Sequence, residues 1–558
     1  MDRRVIWAIV LMMIIAIVPT FIFKPPSRPV TTPSPVVTPA DSGPAQSQPV
    51  PRMSAPAVPA ESVEADTGAV GDTAWASSPL YRYGFATVGG RLVSATLEQY
   101  KSMAPGERGQ PAQLLRPSSN LFGLKLILGA DTVRFDRWVL NPSTTSLQVT
   151  GPDTLRLSAS NGIQSLQLTY SLDPDRYIIG VEGQIGGIGP NGGRLLVGMG
   201  PGLANTEADS NDNHRQLAVV TRASKAEATA FSKLKPGETT ALDGPFDWVA
   251  VKSKYFVTAV LALDTTQPRI SGATATPPST EGKHPVSADV EVSLPIRPDG
   301  RFSLQLYAGP MEYERLARIG HDFDDVNPYG WPGFRTLIRP VAVAVRWLFV
   351  WMHQNLHLAY GIVLVLFGVL VRLILWPLNQ KAMRASMAMQ AIQPEMKSIQ
   401  ERYKNDPQKL QQEMFKLYRE HGVNPFGGCW PLLIPMPVLF ALFFVFGNTI
   451  ELRGQAFLWL PDLARPDPYY VIPVLLGLSM YALNKIGQKG MAPNPQMKMM
   501  LYFMPIMMTV LFFPLASGLN LYYSVSNLAS IPQQWMLAQE RLKRKPPVPA
   551  PAPEKRKK

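Results

Sequence analysis

Arg372 is the residue whose setting most needs a chemical reason. It lies inside GIVLVLFGVLVRLILWP, residues 361–377, a helical run with no other charge. At the centre of a bilayer such a charge costs about 2.5–3.5 kcal/mol on insertion scales. Two readings are open. The side chain climbs to headgroups near Pro377, about 7–8 Å along the axis at ~1.5 Å per residue, or it serves a wet cavity. A second polar set lies in SGLNLYYSVSNLAS. There Asn520, Ser524 and Asn527 share a helical face at four- and three-residue steps, with Tyr522, Tyr523 and Ser526 nearby. Polar stripes in membrane helices face the bundle or water, and hydrogen bonding between helices is the plainer alternative. Arg372 and this stripe together favour a hydrated groove.

Catalysis is not expected. The apolar runs contain no Asp, Glu or His, so proton relays lack their groups and Ser479, in GLSM, has no membrane histidine to activate it. There is no GxxxxGK[ST] nucleotide loop. The one cysteine, Cys429, allows no intrachain disulfide and reads as a small hydrophobe beside an apolar run. The expected protein has no catalytic residue, no metal and no cofactor.

The elements that hold these residues follow from composition and period. Only 17 % of residues are charged while 46 % are apolar, and the net charge is +13, which points to a membrane and to anionic partners. Residues 1–23 read as a signal anchor: Arg3 and Arg4 precede an apolar run with no small-residue cleavage site. Residues 24–74 are a Pro-rich linker. Residues 75–320 alternate with period two between turn residues, which predicts a large antiparallel sandwich closed by a short helix in MEYERLARIG. Residues 334–354 place Arg335, Arg339, Arg346 and His353 on one helical face, read as an interfacial helix or an ordinary packing helix.

A span at 358–377 follows, then a helical hairpin at 379–421 whose turn holds Asp406 as cap and Pro407 in the first turn. Met383, Met387 and Met389 enrich its first arm, either as an adaptable substrate surface or as filling of the hairpin seam. Residues 429–536 hold four further spans, and 537–558 form a basic tail. The 379–428 loop is strongly basic, whereas residues 447–468 carry Glu451, Asp462 and Asp467 against Arg453 and Arg465. Positive-inside bias then puts both termini in the cytoplasm and the β domain outside. The tail suits anionic partners such as RNA phosphates, and a lipid anchor is the other reading.

At this point the chain resembles the YidC-type membrane protein insertases of Gram-negative bacteria. The resemblance rests on VRLILWPLNQKAMRASMAM, HGVNPFGGCWPLLIPMPVLFALF, NTIELRGQAFLWLPDL, DPYYVIPVLLG and SGLNLYYSVSNLASIPQQ, in family order. It implies a polytopic α-helical membrane protein with six transmembrane helices. Five of them form the core around a groove open to cytoplasm and lipid, and a large periplasmic all-β supersandwich domain stands outside. Arg372 matches the groove arginine, Tyr522 and Tyr523 the tyrosine pair, and 379–421 the substrate-handling hairpin. Implied partners are nascent membrane proteins, the Sec translocon, the ribosome and membrane lipids, with no nucleotide. A small-molecule transporter or a membrane scaffold is the alternative. Pro435 and Gly368 depart from a familiar member, which has Gln and Thr there, and both lower groove polarity.

Overall fold

A computed structural model describes residues 72–282, 284–330, 333–422, 436–489 and 495–543. The predicted anchor 1–23, most of the linker, Cys429, Pro435 and the tail beyond residue 543 lie outside the described residues.

Alternation builds the β domain. Ser165–Leu172 buries Leu166, Leu168, Tyr170 and Leu172 and exposes or half-exposes the residues between, as a strand with one buried face must. The strands form an 11-stranded and a 9-stranded sheet. One continuous core joins them, with Phe85, Leu126 and Val197 from the first sheet and Leu168, Val181 and Leu304 from the second. Buried tyrosines find acceptors across the sandwich: Tyr83 donates to Ala308 O and Tyr170 to Gly90 O, each at 2.7 Å, as a wet tip in a dry core requires. The first strand is Thr73–Ser77, so the domain starts two residues before the predicted boundary.

The helices are α1 (Ser210–Gln216), α2 (Tyr313–Ile319), α3 (Arg335–Leu356), α4 (Tyr360–Ala391), α5 (Gln393–Arg402), α6 (Pro407–Glu420), α7 (Met436–Asn448), α8 (Val471–Gly487), α9 (Pro495–Phe512) and α10 (Ser517–Lys543). α3 buries Ile338, Ala342, Val345, Phe349 and Met352, at steps of four and three. This stripe shares a core with Val363, Leu364 and Phe367 of α4, Ala441, Leu442 and Val445 of α7, and Leu519 and Tyr522 of α10.

Two expectations are corrected here. The span 358–377 does not stop at its proline, because α4 runs on through Pro377 to Ala391. Pro377 cannot donate to Leu373 O, so one ladder bond is lost; beside it Gln533 Nε2 of α10 donates to Trp376 O at 2.9 Å and ties this part of α4 to its neighbour. The hairpin's first arm is therefore the end of α4 followed by α5, and only α6 is a separate return helix. α10 likewise continues past 536 into the predicted tail, where Arg541 Nη1 donates to Gly487 O (2.6 Å) and Lys489 O (3.0 Å). Those contacts give a cation and donors to the open C-terminal end of α8.

The turn of the hairpin forms as its sequence predicts. Asp406 Oδ1 accepts from Lys409 N at 3.1 Å, Pro407 opens α6, and Gly422 follows with φ +60°. Asp406→Ala is expected to cost α6 about 1 kcal/mol, visible as faster hydrogen exchange at the Lys409 and Leu410 amides.

The basic face of α3 follows the packing reading of that helix. It meets protein acids rather than lipid phosphates. Arg335 pairs with Asp325, Arg339 with Asp324, and Arg346, only 3 % exposed, with Glu451 and with Glu314 of α2. Burial pushes the Glu451 carboxyl up and Arg346 pulls it back. The opposite face of α3 exposes Phe334, Leu337, Trp347 and Trp351, the two indoles stacked with centroids 6.3 Å apart.

A second clamp joins the helical part to the β domain. Arg453, in the segment between α7 and α8, donates from Nε to both Glu207 carboxylate oxygens at 2.9 and 3.0 Å. Its Nη1 reaches Lys101 O at 2.8 Å and its Nη2 reaches Thr206 O at 2.9 Å. Nearby, Lys252 Nζ donates to Asn327 Oδ1 at 3.1 Å, and Asn327 Nδ2 donates to Asn448 O at 3.3 Å. Lys252 is buried and has no ion-pair partner among the described residues, and burial lowers its ammonium from 10.5 to about 8.

That depression has a definite sign. Below about pH 8 the folded state holds a buried charge and bears the full cost. As pH rises from about 8 towards 10.5 the folded amine is neutral while the unfolded one keeps its proton, so stability rises. The gap corresponds to roughly 3 kcal/mol at ~1.4 kcal/mol per pH unit. Lys252→Met is therefore expected to stabilise the protein near pH 7 by up to about 3 kcal/mol, less about 1–3 kcal/mol for the orphaned Asn327 oxygen. Unfolding of both proteins at pH 7 and pH 10 checks that the advantage shrinks with rising pH.

Candidate functional site

Arg372 sits near the middle of the apolar stretch of α4, Tyr360–Lys381, the one described helix long and apolar enough to cross a membrane. The shorter apolar helices are Pro437–Asn448, Val471–Gly487 and Lys498–Phe512. The first polar residue after Arg372 is Asn379, roughly 10 Å further along the axis at ~1.5 Å per residue. The guanidinium does not extend that way. Its Nε donates sideways to Ser526 Oγ of α10 at 2.8 Å.

The approach of α4 to α10 explains the contact. A Cβ at Gly368 would lie 3.2 Å from Val525 Cγ1 and 3.5 Å from Tyr522 O, so the missing side chain lets the two backbones come close. One helical turn on, Arg372 meets the same face of α10. Tyr522 is 5 % exposed and packs on Phe367 (5.6 Å) and Tyr523 (5.2 Å), and Tyr523 meets Phe512 edge-on at 5.5 Å. The Tyr523 hydroxyl is buried and has no hydrogen-bond partner among the described residues. An orphaned donor of this kind calls for a ligand or water.

The stripe of Asn520, Ser524 and Asn527 divides differently from the sequence reading. Asn520 is fully buried, and its Nδ2 donates to Phe512 O at 3.0 Å and Leu515 O at 3.4 Å, which ties the tight turn between α9 and α10. Ser524 Oγ donates to Asn520 O at 2.8 Å within its own helix. Asn527 Nδ2 donates to Ser479 Oγ of α8 at 3.2 Å. These three lie on the α8 and α9 side, about 120° round α10 from Ser526 at ~100° per residue. The structure brings Arg372 to Ser526 and the tyrosine pair, and does not bring it to Asn520 or Ser524. Met383, Met387 and Met389 fall on the C-terminal part of α4.

Ser526 was legible as part of the polar set, whereas Gln533 and Glu540, its successors along this seam, were not. From Arg372–Ser526 the polar contacts continue to Trp376 O–Gln533 and to Arg384–Glu540 at 3.0 Å. Ser526, Gln533 and Glu540 are seven residues apart, so a heptad-spaced polar row was present in the sequence as a signal. It leads from the half-buried Arg372 to a half-exposed ion pair. Chemically this is a cation in a partly apolar seam with hydroxyl, amide and carbonyl groups leading to its far end. A cation so placed can attract anionic groups.

Among known families, the model described as the 60Kd inner membrane protein matches residues 351–545, and that of the YidC periplasmic domain matches residues 76–343. A membrane protein insertase YidC from Chlorobaculum tepidum is 31 % identical over 487 residues, 82 % of this chain and 80 % of that protein. One from Syntrophobacter fumaroxidans is 29 % identical over 493 residues, 83 % and 85 % of the two chains. A crystal structure of an active YidC insertase covers 82 % of this chain and 91 % of its own at 18 % identity, with a TM-score of 0.34. The two family models between them take in both the β domain and the helical core, and the chain belongs to the YidC family of membrane protein insertases.

Proposed function

We propose that this inner-membrane protein inserts newly made membrane proteins and helps them fold by offering a hydrated, positively charged seam, with no nucleotide hydrolysis. The observation that carries the reading is Arg372, turned across to Ser526 of α10, the helix that also holds the Tyr523 hydroxyl, unpartnered among the described residues. A polar tail of a client is drawn to that cation, and hydration of the seam lowers the cost of moving its polar groups past apolar helices. The client's apolar segment then leaves into lipid, driven by roughly 25 cal/mol per Å² removed from water.

Six spans with both termini in the cytoplasm fit this reading. Its support is the apolar surface left exposed on α4 (Leu373, Ile374), α8 (Leu475, Leu478) and α9 (Phe503, Ile506), which water would penalise and lipid accepts. The short apolar helices suit a locally thinned bilayer. The exposed indoles of α3 fit an interfacial position, now with its arginines held by protein acids. Met383, Met387 and Met389 would receive clients, the basic tail would hold a ribosome or lipid, and the Sec translocon would be a neighbour.

Site-specific photocrosslinkers at positions 372 and 523, with stalled nascent chains, test the reading. Adducts at both positions are expected, and their absence with clients that do insert would overturn it.

A further inference from the structure

The connection from α7 to α8 carries Glu451, Asp462 and Asp467, yet the surface it presents is not acidic. Glu451 pairs with Arg346. Asp462 and Asp467 are buried and serve the backbone. Asp462 Oδ1 accepts from Ala464 N at 2.8 Å, and the Asp467 carboxylate accepts from Tyr469 N (3.0 Å), Ile472 N (2.8 Å) and Trp459 Nε1 (3.3 Å). Turned outward instead are Leu458, 74 % exposed, Tyr469, 69 % exposed, and also Trp459 and Tyr470. Arg465 is the one exposed charge of residues 449–470.

Two of these side chains are held out against backbone preference. Phe457 and Leu460 exchange backbone hydrogen bonds of 2.9 Å, so Leu458 and Trp459 form the tip of a tight turn. Phe457 anchors it over Gly361, where a Cβ would collide with the ring. Leu458 takes φ +54° and Tyr470 φ +56°, the left-handed region that strains a residue with a Cβ. An apolar tip on a strained turn gains nothing in water and is favoured once lipid removes it from water. Length points to the same surroundings. From Lys485 in the last turn of α8 back to Val471 is about 21 Å at ~1.5 Å per residue, against about 30 Å of hydrocarbon. The start of α8 and the connection before it therefore reach no higher than the outer headgroups. Irregular backbone there needs its polar groups satisfied within the protein. Besides the Asp462 and Asp467 contacts, Leu463 N donates to Gln455 O at 2.9 Å, and Arg465 N and Tyr470 N donate to Asp462 O and Asp467 O at 3.2 Å. Pro461, Pro466 and Pro468 have no N–H to satisfy.

We propose that this connection docks on the phospholipid of the outer leaflet. Leu458 enters the upper acyl region, Trp459, Tyr469 and Tyr470 lie at the level of the headgroups, and Arg465 meets lipid phosphate. The inference rests on α8 crossing the bilayer, as the insertase reading has it. Its consequence is a fixed depth. Ser517 N and Gly518 N of α10 donate to Arg465 O and Leu463 O of the same connection, so the level at which the connection rests in the leaflet also sets the level of Ser526 and, through it, of Arg372.

The test uses the full-length protein with Cys429→Ser in phosphatidylcholine vesicles, carrying one fluorescent label on Leu458→Cys, on Leu478→Cys in the exposed face of α8, or on Glu227→Cys on the β-domain surface. Tyr469→Cys is a second site on the connection, for use where a label at 458 disturbs the turn. Nitroxide lipids labelled near the headgroup are expected to quench the label at 458 or 469 at least threefold more than the label at 227, and aqueous iodide at least threefold less. Equal iodide quenching on the connection and at 227 would overturn the proposal. So would a label on the connection that is shielded from iodide yet untouched by nitroxide lipids, which would mean that protein covers the tip. The label at 478 reports α8 separately. Lipid quenching at 478 without quenching on the connection sinks this proposal and leaves the insertase reading standing, whereas no lipid quenching at 478 removes the premise of both.

Discussion

Arg372→Ala is expected to lower insertion of a short, acidic-tailed client tenfold or more in reconstituted vesicles, while Arg372→Lys keeps most of the activity. A carboxylate about 4 Å from the guanidinium is attracted by up to about 4 kcal/mol at an effective dielectric of ~20, before desolvation is subtracted. Retaining a third of that is already a factor of about ten. Lysine keeps the charge and loses the planar fork, which matters less if the client's carboxylates are many and loosely placed. Folding should survive the alanine change. Among the described residues Arg372 makes one hydrogen bond, to Ser526, a contact worth about 1.5–3 kcal/mol, and the freed hydroxyl can turn to its own helix. Ser526→Ala should act in the same direction and more weakly, because it frees the guanidinium without removing it. If the alanine variant inserts this client as well as the parent does, the cation has no part in capture, and the scaffold reading of the helical core gains.

Legibility followed the range of the interaction. The strand Ser165–Leu172, the Asp406–Pro407 turn and the short link between α9 and α10 are set by residues within a few positions of one another, and each could be read directly. Arg372 could be read as an anomaly because its own run is apolar. Its partner Ser526 is 154 positions away, and periodicity reports which residues share a face without saying which helix that face meets. The same limit misplaced the stripe: Asn520, Ser524 and Asn527 do share a face, but α8 and α9 take it. Arg346 could be placed on a basic face, with interfacial and packing readings both open, because its acids, Glu314 and Glu451, come from two other segments. Pro377 read as a stop because the packing that carries α4 past it, the Gln533 contact from α10 included, comes from far along the chain.

Arg453 shows how far such long-range pairs reach, and Arg453→Met is expected to destabilise the joint between β domain and helices by about 3–5 kcal/mol. The pair is buried, with side chains 4 % and 9 % exposed for Arg453 and Glu207. Removing one partner leaves a charge in low dielectric without its counterion, and Lys101 O and Thr206 O lose their donors as well. Glu207→Met alone should also cost several kcal/mol. The double change should cost clearly less than the sum, since it leaves no lone charge. Arg384→Ala is the contrasting case: its pair with Glu540 is 49 % and 41 % exposed and should be worth no more than ~1 kcal/mol.

The effect of Arg453→Met should extend beyond the joint, because the same segment seats α10. Ser517 N donates to Arg465 O at 2.7 Å, Gly518 N to Leu463 O at 2.9 Å, and Ser517 Oγ to Asp462 O at 3.2 Å. Ser526 lies nine residues further along that helix, roughly 13–14 Å. Thermal unfolding in detergent and trypsin cleavage within residues 448–468 read the joint, and insertion at fixed protein amount reads the seam. A large loss of stability with unchanged cleavage in that segment would mean that Arg453 supports the β domain alone. Cleavage and insertion defects that appear together would mean that the outer domain helps set the register of α10 against Arg372.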